Sequence, residues 1–182
     1  MKYVTILILF SVVACAPSRP IFYGTNKTDN FARKIDYTKG FYIQPQWSEV
    51  LKRQPVISGN RTVIYADLVA VQALCNTFKW AHKDEKLSTP QEAQLKGWGD
   101  CKDAAICKYY KLRAIGAKPE QLNLWQGWYG DKYAGHLTLA VRIGDKQYIL
   151  DDMSDIIIEA KLYMHKDFEP YARFNEIGWS LD

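Results

Sequence analysis

The apolar residues of this chain recur with a helical period in its first half and with a strand period in its second half. In the first half, apolar positions three and four residues apart predict one face of an amphipathic helix over residues 64–80. Its apolar positions are Ile64, Leu68, Val71, Cys75 and Phe78. Residues 82–97 are charged and polar and include a proline, so we interpret them as a surface connection at the rim of a site.

A second helix is predicted to begin beside Asp100. Aspartate is a good N-cap residue, and Asp103 three residues later makes an acidic version of the capping box. Residues 104–114 mostly favour helix, and Gly116 is suited to end it. The basic residues of this helix lie toward the negative end of its dipole, where cations are stabilised: Lys108, Lys111 and Arg113.

Beyond this helix the pattern changes to strands. Residues 122–129 are rich in aromatic residues, and residues 136–143 alternate strictly between apolar and other side chains. Gly144-Asp145 forms a turn, and residues 146–150 return as the antiparallel partner. Residues 155–160 are a further strand candidate. The predicted fold class is α+β, with helices first and an antiparallel sheet after them.

Composition narrows the class of protein. A chain of 182 residues with 48% hydrophobic and 14% aromatic residues fits one folded domain with a substantial core. The net charge of +4 comes from basic and acidic residues that are scattered along the chain. Since no block of lysine and arginine occurs, we expect no nucleic-acid partner.

The N-terminus has the pattern of a secretory leader. Lys2 precedes a short apolar run that is too brief for a stable membrane span, and we predict a signal peptide over residues 1–14. The sequence before Cys15 is similar to a lipobox, which would make Cys15 the lipidated first residue; cleavage after Ala16 is the alternative. Residues 15–45 are then a tether, and residues 46–182 are the functional domain. We expect it in the periplasm or cell envelope, touching the membrane only through the lipid anchor.

Three cysteines remain in that oxidising compartment. Cys101 and Cys107 lie six residues apart on one predicted helix, on roughly opposite faces, and cannot bond to each other. A bridge between Cys75 and Cys107 is possible and would leave Cys101 free. The absence of a Cys-x-x-Cys pair argues against structural zinc, and no metal site is predicted. Catalysis is the natural reason for an unpaired thiol in an exported protein.

Three residues supply a nucleophile, a base and an orienting carboxylate: Cys101, His136 and Asp151. Cys101 is placed at a helix start, where the dipole favours a thiolate and backbone N–H groups are available to an oxyanion. With a two-residue turn, Thr138 opposes Asp151, and His136 is a diagonal neighbour on the same face. Asp152 would point away, although a bulge would reverse that preference. Trp98 and Gly99 are candidates for contact with the substrate.

At these residues the chain resembles the bacterial transglutaminase-like cysteine peptidases. The resemblance extends over roughly residues 45–180 and rests on these segments: Gly97–Ala105, Lys108–Tyr110, Leu112-Arg113, Gly116, Gly135–Ala140, Ile149–Asp152 and Tyr171–Trp179. It implies a papain-like/transglutaminase-like fold with Cys101, His136 and Asp151 as the triad. It also implies a protein or peptide substrate, since the best-understood members clip surface adhesins in the periplasm.

The chain departs from that family directly after the cysteine. The adhesin proteases bind calcium through acidic residues there and have a glutamate where this chain has Lys102. A lysine is a cation in the place of a ligand for a hard cation, and Asp100 is more simply a helix cap. We therefore expect no cofactor, and calcium stays open only as what the resemblance implies.

The leading functional hypothesis is an exported thiol peptidase that works through an acyl-enzyme. A transglutaminase or amidase would form the same intermediate and resolve it with an amine, so the residues alone leave this alternative open. A third hypothesis is a non-catalytic envelope lipoprotein that uses the same fold to bind a partner. Reactivity of Cys101 separates it from the first two.

Overall fold

The computed structural model describes residues 43–81, 86–129, 134–164 and 168–181. The predicted signal peptide, Cys15 and all but the last few residues of the tether lie outside the described residues. The helices are α1 (Ile43–Arg53), α2 (Tyr65–Cys75), α3 (Pro90–Lys96), α4 (Cys101–Ile115) and α5 (Ala160–Met164). No helix within the described ranges is both long and apolar enough to cross a membrane.

Eight strands form two sheets within these ranges. They are β1 (Lys79–Trp80), β2 (Trp98–Gly99), β3 (Leu122–Tyr129), β4 (Ala134–Ile143), β5 (Lys146–Leu150), β6 (Ile158–Glu159), β7 (Phe168–Phe174) and β8 (Trp179–Leu181). The first two pair in parallel, and the other six form an antiparallel sheet in the order β6-β5-β4-β3-β7-β8. The α+β prediction, with an antiparallel sheet after the first helices, is confirmed.

Two predictions for residues 64–97 are wrong in part. The helix α2 ends at Cys75 with Asn76 as its C-cap, so the predicted helix is too long by one turn, and Lys79 begins a strand instead. The predicted surface connection contains the helix α3. Thr89 accepts a hydrogen bond from the Glu92 N–H, and Glu92 accepts one from the Thr89 N–H, so a full capping box starts α3.

The helix α4 begins and ends as predicted. Asp100 Oδ1 accepts a hydrogen bond from the Lys102 N–H at 3.0 Å, and Asp103 Oδ2 accepts one from the Asp100 N–H at 3.1 Å. Gly116 ends the helix with φ 140°, and a Cβ there would lie 2.1 Å from the Arg61 carbonyl oxygen. Only glycine fits this combination of backbone angle and close approach.

The strands β4 and β5 form the predicted hairpin. Ile143 pairs with Lys146 and Leu139 with Leu150, and Gly144-Asp145 is the turn between them. The prediction for residues 155–160 is largely wrong, because only Ile158–Glu159 are in a strand and the helix α5 follows at once.

The hydrophobic core lies in two parts. The larger part contains α1, α2, α4 and the inner residues of β3 and β4; the smaller part joins β3, β4 and β5 to α5 and β7. A disulfide between Cys75 and Cys107 links α2 to α4 across the larger part, with a Cα–Cα distance of 5.9 Å. The pairing that the sequence left possible is therefore confirmed, and Cys101 is a free cysteine.

Candidate active site

Cys101 is the first residue of α4, and its side chain is partly buried. It packs against the larger part of the core while remaining accessible at the helix start. Backbone N–H groups in the first turn of a helix have no helical acceptor, and the dipole there favours negative charge. The position therefore suits a thiolate and the oxyanion that its attack would create.

His136 and Asp151 form a hydrogen-bonded pair. His136 Nε2 lies 2.8 Å from Asp151 Oδ1, and both side chains are almost completely buried. They meet because β5 pairs with β4 in the register that places Asp151 opposite Thr138, two residues from His136. The parity argument from the sequence predicts this placement.

His136 also lies near the cysteine. Cys101 is among the groups that raise the pKa of His136, and because Nε2 faces Asp151, Nδ1 is the ring nitrogen available to the sulfur. The structure thus places Cys101 near the hydrogen-bonded pair of His136 and Asp151. The three residues come from separate segments. Cys101 begins α4, His136 lies near the start of β4, and Asp151 directly follows β5.

The charges around His136 favour its protonated form. Burial by itself lowers the pKa of His136, but the Asp151 carboxylate and the hydrogen bonds to Asp151 and Cys101 raise it well above the ordinary value. Burial raises the pKa of Asp151, but the charge and hydrogen bond of His136 outweigh it and hold that pKa below the usual range. At neutral pH, His136 is therefore an imidazolium beside the thiol.

Two further donors orient the Asp151 carboxylate. The Tyr163 hydroxyl, from α5, donates to Oδ2, and the Met153 N–H donates to Oδ1 at 3.1 Å. With His136, the carboxylate accepts three hydrogen bonds in a buried setting, which fixes its plane. Tyr163 could not be found from the sequence, because no periodicity connects a short helix to a strand end.

Aromatic rings enclose the imidazole on its other sides. The ring centroids of Tyr129 and Phe168 lie 5.5 and 6.0 Å from that of His136, both edge to face. Gly127 pairs with His136 across the sheet, and a Cβ on it would lie 2.5 Å from the Phe168 ring. Glycine at this position therefore lets Phe168 pack close to the imidazole.

The backbone that carries Asp151 is held by two amides of α2. Gln72 Nε2 donates to the carbonyl oxygens of Asp151 and Ser154, at 2.6 and 2.5 Å. Asn76 Nδ2 lies 3.2 and 3.3 Å from the same two oxygens. The two amides are four residues apart, so they project from the same face of α2. Gln72 and Asn76 thus hold the turn after β5 against α2.

Two charged residues that the sequence analysis placed elsewhere also lie at this site. Lys108 was predicted to interact with the helix dipole, but it is completely buried, with Nζ 3.2 Å from the Leu150 carbonyl oxygen. Asp152 was expected to point away from the histidine, yet its Oδ1 lies 3.8 Å from His136 Nε2. The turn after β5 leaves the strand geometry, so the alternation argument does not extend to Asp152.

The predicted substrate contacts Trp98 and Gly99 form β2, directly before the cap of α4. Trp98 is partly buried, and the Lys96 ammonium lies 5.0 Å from the centroid of its ring. Gly99 is buried, and a Cβ on it would lie 2.8 Å from the Asp103 side chain. Both residues are therefore close to Cys101 along the chain, and their contact with a substrate stays a prediction.

The carboxylates at the start of α4 already have partners. Asp100 Oδ2 lies 2.5 Å from Lys102 Nζ, and the other oxygen caps the helix. Asp103 bonds the Asp100 N–H, and burial raises its pKa. An ammonium and two engaged carboxylates do not fit a calcium ion, which needs six to eight oxygen ligands.

A second possible metal group shares His136 and Asp151 with the candidate triad. Ligand atoms of His136, Asp151 and Asp152 lie within 4.8 Å of one another. His136 Nε2 is bonded to Asp151, whose oxygens also accept from Tyr163 and Met153. We interpret the group as hydrogen-bonded acid–base machinery.

The fold matches that of solved α+β proteins. These are structures of LapG from Legionella pneumophila. An EGTA-treated form is 24% identical, with a TM-score of 0.61 over 75% of this chain and 74% of that chain. A calcium-bound form is also 24% identical, with a TM-score of 0.60 over 74% of this chain and 75% of that one. No protein-family profile and no curated protein matches the chain. At this identity, the similarity establishes the fold.

Proposed function

We propose that this chain is an exported thiol peptidase of the papain-like/transglutaminase-like fold, with Cys101 as nucleophile, His136 as base and Asp151 as the orienting carboxylate. The observation that carries the proposal is the buried hydrogen bond between His136 and Asp151, with Cys101 near the imidazole at the start of α4. LapG, which shares the fold, is a periplasmic cysteine protease that processes an adhesin, and this supports a protein substrate.

In the first half of the proposed reaction, the Cys101 thiolate attacks a peptide carbonyl carbon and forms a carbon–sulfur bond. The carbonyl oxygen becomes an oxyanion, for which the Cys101 backbone N–H is the nearest candidate donor. The His136 imidazolium then gives its proton to the leaving amine as the carbon–nitrogen bond breaks. Asp151 keeps the ring oriented and stabilises its charge throughout.

In the second half, neutral His136 takes a proton from water while the water oxygen attacks the thioester. The carbon–sulfur bond breaks, the carboxylic product leaves, and the thiolate–imidazolium pair is restored. Hydrolysis and transfer to an amine differ only in which nucleophile enters at this stage.

Export is supported by the disulfide as well as by the leader pattern. A bond between Cys75 and Cys107 in the core is typical of proteins from oxidising compartments. We propose that the domain works in the periplasm or cell envelope, held by a lipid on Cys15.

The test compares proteins released into the medium by cells with and without this chain. We expect one or more surface proteins to be released as truncated fragments only when the chain is present, and the purified protein to make the same cuts. Adding a labelled primary amine distinguishes the acyl-transfer alternative. Incorporation of the label without hydrolysis would contradict the peptidase proposal.

We also propose that the reaction does not use calcium. The partners of Asp100 and Asp103 support this, because Lys102 supplies a positive charge within the protein itself. We expect cleavage by the purified protein to change less than about twofold on addition of EGTA, and we expect calcium to leave its melting temperature unchanged. A loss of activity in EGTA that calcium reverses would contradict this proposal.

A further inference from the structure

Lys108 lies next to the candidate triad, and its ammonium group is completely buried. It follows Cys101 by seven residues, two helical turns, so both side chains project from the same face of α4. Its Nζ shares the Leu150 carbonyl oxygen with the Thr138 hydroxyl, which lies 3.0 Å from it. An ammonium that is completely buried is costly unless negative charges lie close to it. The carboxylates of Asp151 and Asp152 are the main ones acting on Lys108.

Asp152 is the less satisfied of these two carboxylates. Its side chain is 6% exposed, and among the described residues its Oδ1 has no hydrogen-bond partner. That oxygen lies 3.8 Å from His136 Nε2, so it is near the imidazole without bonding to it. Asp151, by contrast, accepts bonds from His136, Tyr163 and Met153. The function of Asp152 is therefore not explained by hydrogen bonding alone.

We propose that Lys108 and Asp152 are positioning residues that act as a buried pair of opposite charges beneath the triad and set the pH range in which Cys101 and His136 exist as thiolate and imidazolium. The inference rests on the proposed function and deepens it, because it concerns the same site. Neither residue touches the substrate; each acts on the proton equilibrium of the Cys101–His136 pair through its charge.

The charged and titratable groups around the pair come from each neighbouring element. Asp152 is influenced by His136 from β4, by Lys108 from α4 and by Tyr163 from α5. Cys101 acts on Lys108 from the start of the same helix. Asp151 and Asp155 are on its own segment. With Cys101 and His136 ionised, the charges of Lys108 and Asp152 cancel each other, those of Cys101 and His136 cancel each other, and Asp151 leaves a net charge of −1.

The ionisation of the two residues agrees with this arrangement. Burial lowers the pKa of Lys108 to about 8, with the nearby carboxylates opposing the shift. Burial raises the pKa of Asp152 to about 6, with the charges of His136 and Lys108 opposing it. Both members of the pair are therefore charged between about pH 6 and pH 8.

Lys108 and Asp152 have opposite effects on the proton equilibria of Cys101 and His136. Loss of the Lys108 charge makes the surroundings more negative, which favours the protonated forms of both Cys101 and His136. Loss of the Asp152 charge has the opposite effect. A unit charge at about 10 Å shifts a proton equilibrium by about one pH unit at an effective dielectric constant near 20.

The test is the rate at which iodoacetamide alkylates Cys101 in the whole purified protein, measured from pH 4 to pH 10. We expect Lys108→Met to move the profile about one unit toward higher pH and Asp152→Asn to move it by a similar amount toward lower pH. The double variant should return it to near the original position, because both charges are removed together. Lys111→Met is the matched control, since this lysine is exposed on the same helix and should leave the profile unchanged.

The outcomes separate this inference from the proposed function. If the unmodified protein shows no enhanced alkylation near neutral pH, the thiolate–imidazolium pair is absent and the proposed function fails. If that enhancement is present but both single variants leave the profile in place, the charge-pair inference is wrong. Should Lys108→Met fail to fold, as judged by circular dichroism, Asp152→Asn and the double variant still decide the question: a downward shift that the double variant cancels supports the pair, and no shift overturns it.

Discussion

Replacement of Cys101 by alanine is expected to abolish peptide cleavage and leave the fold intact. Alanine keeps the α4 start, since the cap is made by Asp100 and Asp103 and the Cys75–Cys107 disulfide does not involve this position. Without the sulfur, no acyl-enzyme forms, so we expect at least a 10⁴-fold loss in kcat, a magnitude typical of nucleophile removal. Hydrolysis of a peptide substrate and thermal unfolding of both proteins measure the two effects.

Cys101→Ser is the matched control for this experiment. It keeps the size and the hydrogen-bonding capacity of the side chain but replaces the sulfur by a much poorer nucleophile. A loss that is equally large in both variants, with unchanged unfolding temperatures, assigns the effect to the thiol. Cleavage that persists at the original rate in Cys101→Ala would show that another residue carries the chemistry.

Asp151→Asn is expected to lower kcat by about a thousandfold. The Asp151 carboxylate accepts a hydrogen bond that orients the His136 imidazole, and its negative charge balances the imidazolium. The neutral amide of asparagine carries no charge to balance the imidazolium and does not hold the ring in the same orientation. The raised pKa of His136 depends largely on Asp151, so in the variant the imidazolium loses its proton at lower pH. The alkaline limb of the activity profile should therefore move toward neutral pH. Initial rates from pH 5 to pH 10 measure this shift together with the loss.

The same substitution has a signed effect on stability. The pKa of Asp151 is depressed in the folded protein, so its carboxylate stabilises the fold above the unfolded value of about 4 and loses this effect as the pH falls. The Asp151→Asn variant should therefore be less stable than the parent at pH 7, and this difference should shrink toward pH 3. Tyr163→Phe is the control, because it removes one donor to Asp151 and keeps the carboxylate. An Asp151→Asn enzyme with full activity would exclude Asp151 from the triad.

The arrangement of His136 and Asp151 could be predicted from the sequence because it depends on local rules. Strict alternation over residues 136–143 and a two-residue turn set the register of β4 and β5, and the register brings the two side chains together. The start of α4 was equally clear, since Asp100 and Asp103 have the spacing of a capping box. These signals lie within a few residues of the feature that they predict.

The rest of the site depends on contacts between distant segments. Lys108 has the pattern of a surface lysine on a helix, and only the meeting of α4 with the end of β5 shows that it is buried. Tyr163 reaches Asp151 from a five-residue helix that has no periodicity of its own. The helix α3 is a different case. Thr89 and Glu92 have the spacing of a capping box and predict a helix start, but the charged and polar residues around them favoured a surface connection.

The disulfide and the nucleophile place opposite demands on the redox conditions in which the protein is handled. Cys101 must be reduced to react, whereas Cys75 and Cys107 must stay oxidised to hold α2 against α4. Burial separates the two requirements: Cys75 is fully enclosed and Cys107 nearly so, while Cys101 is partly accessible. We therefore expect a mild reductant such as glutathione to regenerate an oxidised Cys101 before it opens the bridge, so that the thiol is restored without loosening the helices.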